Sequence, residues 1–391
     1  MDCFLFSLQK SSTDVLYRRG NGAYIEYQYD PLYRVNAMWL NGIKQADYLY
    51  DNQGDLYRFI DLAGGYTERY MSDMAGRPTR MVRTGNHALE TVYGYGEGSL
   101  LSWKKTRVDS RESFLQMEYN LNSQPTKYTA SLNGICHNQT NLTYDNLGRV
   151  TDTEVWDGVS HVRPVQTLLE YLSGGTGKTT SLVREMTVNG RSWTVDYDGN
   201  GNITSLADSV GGTFLYEYDS LNQLTKETRP NGDVYVYGYD AGGNITTRTK
   251  NGSPLHTYGY ASTGWKDLLT SFDGTAITYD AIGNPNNWRD GMTFTWQAGR
   301  QLATLQKGTT GVSYTYGSDG TRLTKTVNGV KTSYTWDGAQ LVSQTTTGGD
   351  TLYFTYHGNS RVAVEYKGNT YYYIYNLQGD VVGLVISSRC V

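Results

Sequence analysis

Two short stretches carry the residue types of ligand sites. Leu172 to Thr179 read LSGGTGKT, close to a Gly-rich loop that cradles phosphates, in which a Lys reaches the phosphates and a Ser or Thr holds Mg2+. That chemistry needs Gly where Leu172 stands, a strand before the loop and a helix after it. The flanking residues predict a lengthened hairpin loop instead, so no nucleotide site is expected. Asp196-Tyr197-Asp198-Gly199-Asn200-Gly201 matches the first half of a calcium loop, but position twelve is Ala207 where a bidentate Glu is required. No tight calcium site is expected, and a weak surface cation site from Asp196, Asp198 and Asn200 stays open.

The remaining chemistry-bearing residues do not assemble into a motif. His87, His137, His161, His256 and His357 are dispersed, with no metal-ligand spacing. No Gly-x-Ser-x-Gly elbow marks a nucleophile. Cys3, Cys136 and Cys390 are odd in number and fit neither a disulfide framework nor a metal site. The expectation is a non-enzymatic chain with no cofactor and no metal. Asn138, Asn141, Asn202, Asn244 and Asn251 open glycosylation sequons. They read as turn grammar, because the N-terminal MDCFLFSLQK lacks the basic start and apolar length of a signal peptide.

Composition narrows the partners. The net charge is −4 with no basic stripe, so nucleic acid is not indicated. The longest apolar run, Val381 to Ile386, is far short of the roughly 20 residues that a membrane helix needs. The chain holds 35 Tyr and 45 Gly against 7 Pro, with 18% charged residues. Tyr favours pleated, half-buried surface and Gly supplies turns, so strands are expected.

A repeat organises them. YEYDSLNQL at 216–224 returns as YGYDAGGNI at 237–245. An aromatic followed by a polar turn recurs at Tyr29, Tyr50, Tyr70, Tyr95, Tyr119, Tyr144, Tyr171, Tyr197, Tyr218, Tyr239, Tyr260, Tyr279, Trp296, Tyr316, Trp336, Tyr356 and Tyr375. These 17 positions, spaced 17 to 27 residues apart, make residues 1–391 one array without a visible linker. The longer periods fall in 71–197 and periods of about 20 residues in 198–375. Alternate residues share a strand face, which makes the tyrosines a stripe. Tyr216, Tyr218, Tyr237 and Tyr239 should share one face, as the core of the sheet or as the lining of a wet interior. After the stripe comes a turn whose Asp can bond the backbone two residues on and whose Gly takes a positive φ. Asp145 with Gly148, Asp240 with Gly243 and Asp280 with Gly283 fit that turn, and Asp198 and Asp219 open others. Asn-Gly pairs at 189–190, 231–232, 251–252 and 328–329 supply the second hairpin turn. About 34 strands of roughly seven residues would make a ribbon about 160 Å long and 23 Å wide, which strand twist must wind.

The stretches Tyr144 to Val150, Tyr197 to Ile203 and Tyr239 to Ile245 resemble the YD repeats of the Rhs family, a group that includes bacterial wall-associated proteins, toxin-complex C subunits and the YD shell of teneurins. The resemblance runs from about Tyr27 to Val385. It implies an all-β array of antiparallel hairpins wound as a curved spiral sheet, a partial shell. The implied partner is the parent's own C-terminal toxin or effector, and the implied location is secreted or cell-wall associated. The alternative is a module that binds cell-surface glycans through exposed aromatics. Residues 376–391 look like a truncated approach to the Rhs core, with Ile386 and Arg389 where an Asp-x-x-Gly turn would stand. The chain is therefore expected to be a fragment whose apolar last hairpin exposes an adhesive edge and promotes self-association.

Overall fold

A computed structural model describes residues 14–18, 22–175 and 178–386. Cys3, Arg389, Cys390, Thr176 and Gly177 lie outside the described residues. Among the described residues the chain is almost entirely strand, with strands antiparallel to their neighbours within each of two hydrogen-bonded sheets and a break between Thr275–Ala276 and Asn287–Trp288. The helical content among them is two three-residue 3-10 turns, Glu97–Ser99 and Arg289–Gly291. The all-β hairpin array expected from the repeat is the architecture found.

The two kinds of turn explain the repeat residue by residue. At Asp145 the Oδ1 accepts the backbone N–H of Leu147 at 2.9 Å and of Arg149 at 2.9 Å, while the N–H of Gly148 donates to the Asp145 carbonyl at 3.0 Å. Gly148 then sits at φ +78°, the left-handed position that follows a type I turn and closes it with a bulge. Asp240 with Gly243 and Asp280 with Gly283 repeat this geometry, at φ +86° and +82°. Asn222 holds the same place after Asp219 at φ +62°. The register slips by one residue immediately before Tyr29, Tyr50, Tyr144, Tyr197, Tyr218 and Tyr239, so these six turns are entered through a bulge.

The second turn is the two-residue kind. Asn189-Gly190, Asn251-Gly252 and Asn328-Gly329 have positive φ at both residues, the mirror-image turn that suits strand twist. Each Asn also accepts a backbone N–H from the strand alongside, as Asn251 does from Val234 at 2.7 Å. Asn231-Gly232 differs: it lies inside a longer turn closed by Gly232 N–H to the Arg229 carbonyl at 2.9 Å, and only Gly232 has positive φ. The dipeptide alone did not distinguish the two turns.

The chain divides into two compact units. The first comprises the described parts of 1–118, 129–137 and 278–370. It contains strands of two separate hydrogen-bonded sheets, one represented by Leu56–Asp61 to Leu101–Val108 and the other by Met292–Gln297 to Ser360–Tyr366. Its core joins Met38, Ala46, Phe59 and Tyr66 to Leu323. A smaller cluster holds Met81, Leu89 and Val108. The second unit comprises 119–128, 138–277 and the described part of 371–391, and buries Val155, Met186, Trp193, Val195 and Tyr372.

Candidate functional site

The repeated signature builds a ladder. Tyr50 donates its hydroxyl to the Val35 carbonyl at 2.9 Å, Tyr144 to Pro125 at 2.7 Å, Tyr197 to Val183 at 2.7 Å and Tyr239 to Leu224 at 2.7 Å. Where the aromatic is Trp, the indole N–H does the same: Trp296 to Pro285 at 2.7 Å and Trp336 to Arg322 at 3.0 Å. In most of these bonds the acceptor is the first strand residue after the preceding repeat's turn, so each aromatic ties one hairpin to the one before. This is a second reason for Tyr over Phe, because a half-buried carbonyl left unpaired is costly. Burial pushes the hydroxyls of Tyr50, Tyr144, Tyr197, Tyr218 and Tyr239 up from their ordinary pKa.

An arginine four residues after the Asp extends the ladder in three repeats, and the sequence reading missed it. Arg34, Arg77 and Arg149 each pair with the turn Asp at 2.6 to 2.7 Å. Their guanidinium carbons lie 4.4, 4.6 and 4.1 Å from the ring centres of Tyr50, Tyr95 and Tyr171, one repeat on. The signal was present as Asp-x-x-x-Arg before a stripe Tyr. Replacing Asp145 by Ala removes the acceptor of two backbone amides and the Arg149 partner. We expect Asp145→Ala to cost about 1–2 kcal/mol, read as a fall in the urea midpoint.

Tyr216, Tyr235 and Tyr237 share a face with Glu227, which stands opposite both Tyr216 and Tyr235 in the register. Tyr237 donates to Glu227 at 3.0 Å, and Arg229 and Arg248 lie 4.3 and 4.5 Å from the Tyr235 ring centre. Tyr218 and Tyr239, two residues further along their strands, are half-buried like Tyr216 and Tyr237, whereas Tyr235 is buried. Tyr29 and Tyr279 are also half-buried, the latter bridged to Pro285.

Four successive repeats break the grammar at 20-residue intervals. The residue after the aromatic is Gln297, Gly317, Asp337 and His357, and three of these build a polar seam between the two sheets of the first unit. At Gly317 an added Cβ would lie 2.9 Å from the Asp61 carboxylate. Buried Asp61 accepts Ser318 N–H at 3.0 Å and Gly64 N–H at 2.7 Å. Asp337 does not cap its own turn: its Oδ2 lies 2.6 Å from the Lys104 ammonium and accepts the hydroxyls of Thr91 at 3.2 Å and Thr106 at 3.4 Å. Between these, Arg83 pairs with Glu68 at 2.5 Å and donates to the Trp336 carbonyl at 2.9 Å. Further along, Arg111 grips Glu365 through two bonds of 2.7 and 2.6 Å. Burial pushes the Glu365 carboxyl up, yet the Arg111 bonds and charge outweigh it and hold it below the ordinary value. His357, 4% exposed, is kept neutral by burial and by His137, which pull it down to about 3.

The motifs that imitate ligand sites fall into the same grammar. Ser173 pairs with Thr179, so LSGGTGKT joins two antiparallel strands, Val165–Ser173 and Thr179–Val188. Asp198 Oδ1 accepts the N–H groups of Asn200 at 2.8 Å and Asn202 at 2.9 Å as an ordinary repeat turn. No group of three or more His, Cys, Asp or Glu able to hold a metal occurs among the described residues. Asn138 is fully buried, and Asn202, Asn244 and Asn251 use their amides on Asp198, Asp240 and Asp233. Cys136 is half-buried in Ile135–Tyr144. Among the described residues, no helix is long and apolar enough to cross a membrane.

Comparison with known proteins agrees with this geometry. Residues 218–254, around Glu227 and its tyrosines, match the RHS Repeat family. The tRNA3(Ser)-specific nuclease WapA of Bacillus spizizenii is 37% identical over 137 residues, which is 33% of this chain and 6% of that protein. The tRNA nuclease WapA of Bacillus subtilis strain 168 is 33% identical over 132 residues, again 6% of its length. The chain thus matches only a small part of these relatives. The crystal structure of TcdB2-TccC3-TEV superposes on 95% of this chain and 22% of that one, with a TM-score of 0.71 at 15% identity, a likeness of fold. With its Tyr-Asp turns, its hairpin array and these likenesses, the chain is similar to the YD-repeat proteins of the Rhs family, and residues 218–254 match that family's repeat.

Proposed function

We propose that the chain is a non-enzymatic structural segment of an Rhs shell that encloses or presents a C-terminal toxin domain of its parent at or outside a bacterial cell surface. The observation that carries this reading is the ladder itself. The signature Asp residues accept turn amides and the ladder aromatics reach the preceding hairpin, so the repeated polar groups are committed to holding a sheet. The fold likeness to TcdB2-TccC3-TEV and the WapA relatives, named as tRNA nucleases, support a role beside a toxin. In this reading residues 1–391 act as one continuous array, and residues 376–391 lead toward the Rhs core.

The test is to read the coding sequence that flanks this chain, express the whole product and challenge it with protease. A downstream effector domain that resists digestion in the intact product and is degraded once urea opens the repeats is the expected result. An effector digested equally in both states, or no effector at all, overturns the reading. A second reading, a module that engages glycans, is favoured by one cavity of the first unit.

A further inference from the structure

The first unit contains a cavity of about 600 Å3 where two successive repeats lack the signature Asp. Gln297 and Gly317, two consecutive positions where the signature aromatic is not followed by Asp, both border it. Places where a sequence breaks its own local rule are where functional sites are expected. The volume falls in the range of small-molecule sites, roughly 300 to 1,000 Å3.

Its chemistry is specific. Tyr27, Tyr314 and Tyr316 contribute aromatic surface, and Gln297 and Gln301 contribute two primary amides. Gln301 occupies the position from which Gln124 and Gln340 reach the Gly carbonyl of the next repeat, at 2.9 and 2.8 Å. Among the described residues the Gln301 amide makes no hydrogen bond, which leaves a donor and an acceptor side by side. The Ser318 hydroxyl is likewise buried without a hydrogen-bond partner, while its N–H is fixed by Asp61. The charged groups are committed: Arg300 donates to the Ile282 carbonyl at 3.0 Å, and Asp319 accepts the Thr321 N–H and hydroxyl at 2.8 Å each. One cation beside one carboxylate gives no surplus charge with which to hold phosphate.

We propose that this cavity is a saccharide subsite for a neutral, hydroxyl-rich ring. Amides that both donate and accept match adjacent hydroxyls, and tyrosine faces cover the C–H surface of the ring. The proposal deepens the glycan reading and rests on it.

Titration of the full chain by calorimetry and ligand-observed NMR with chitobiose, maltose and lactose, and with inorganic phosphate as the anionic comparison, tests it. At least one sugar should bind with a Kd of about 1 mM or tighter. Gln301→Ala and Tyr314→Ala should each weaken that sugar at least about tenfold. Trp265→Ala, which alters an aromatic 45% exposed outside the cavity, should leave binding unchanged. Gln301→Ala removes no side-chain hydrogen bond among the described residues, so its result stands even if Tyr314→Ala unfolds. Sugar binding that survives both cavity variants keeps the glycan reading and overturns this site. Failure of all three sugars overturns both, and phosphate binding more tightly than any sugar overturns the ligand class.

Discussion

Asp337→Ala is expected to remove about 3–5 kcal/mol from the unfolding free energy of the first unit, the cost of breaking a buried ion pair at one end. The Asp337 side chain is 4% exposed and the Lys104 side chain 19%. Without the carboxylate, the ammonium is left with Gln340 at 3.4 Å and the Tyr93 ring at 6.0 Å, and two threonine hydroxyls lose their acceptor. The cost is that of stranding these groups, which exceeds the net worth of the pair itself. The double variant Lys104→Met/Asp337→Leu removes both charges and should recover most of the loss. Urea unfolding followed by hydrogen exchange of Leu101–Val108 and Val330–Asp337 measures both. A single-variant cost below about 1 kcal/mol, the range of exposed pairs, would show that the seam does not hold the sheets together.

How much of this was legible follows from how local each rule is. Asp145, Asp240 and Asp280 could be assigned to turns from sequence because the Asp, the two amides it caps and the positive-φ Gly lie within five residues. The strand face of Tyr216 and Tyr237 was legible for the same reason: a two-residue period needs no tertiary information. The acceptors of the tyrosine hydroxyls lie 14 to 19 residues back in Tyr50, Tyr144, Tyr197 and Tyr239, within one repeat, and a register argument could have reached them. The seam was out of reach, since Asp337 meets Thr91 across 246 residues and Asp61 meets Ser318 across 257. Its only trace was the change from Asp to Gln, Gly, Asp-Gly and His at 297, 317, 337 and 357. Read as mere irregularity, that change hides the column of positions that the fold turns toward its other sheet. Asn231-Gly232 teaches the converse: a strong dipeptide signal was overridden by Arg229 at the start of a longer turn.

Stability of the first unit should fall as pH is lowered from about 6.5 toward 4, before the carboxylates contribute. His357 is neutral in the fold, its pKa pulled down to about 3 by burial and by His137, and His87 is shifted the same way by burial, Arg83 and Lys331. The unfolded chain has ordinary histidines near 6.5, so below that pH it binds protons that the folded unit refuses. The loss reaches up to about 1.4 kcal/mol per pH unit for each such histidine until its folded pKa is passed. The turn aspartates behave differently. Hydrogen bonds to backbone amides, and to Arg149 or Asn244, hold Asp145 and Asp240 below their ordinary pKa. Their stabilisation is complete above about 3.9 and is lost only as pH falls through the lowered values. The two sets therefore separate on the pH axis. Chemical denaturation at pH 7, 6, 5 and 4 should give a falling free energy in the wild type and a flatter profile in His357→Gln, whose amide does not titrate. An equal slope in both proteins would assign the acid sensitivity to other groups and remove His357 from the account.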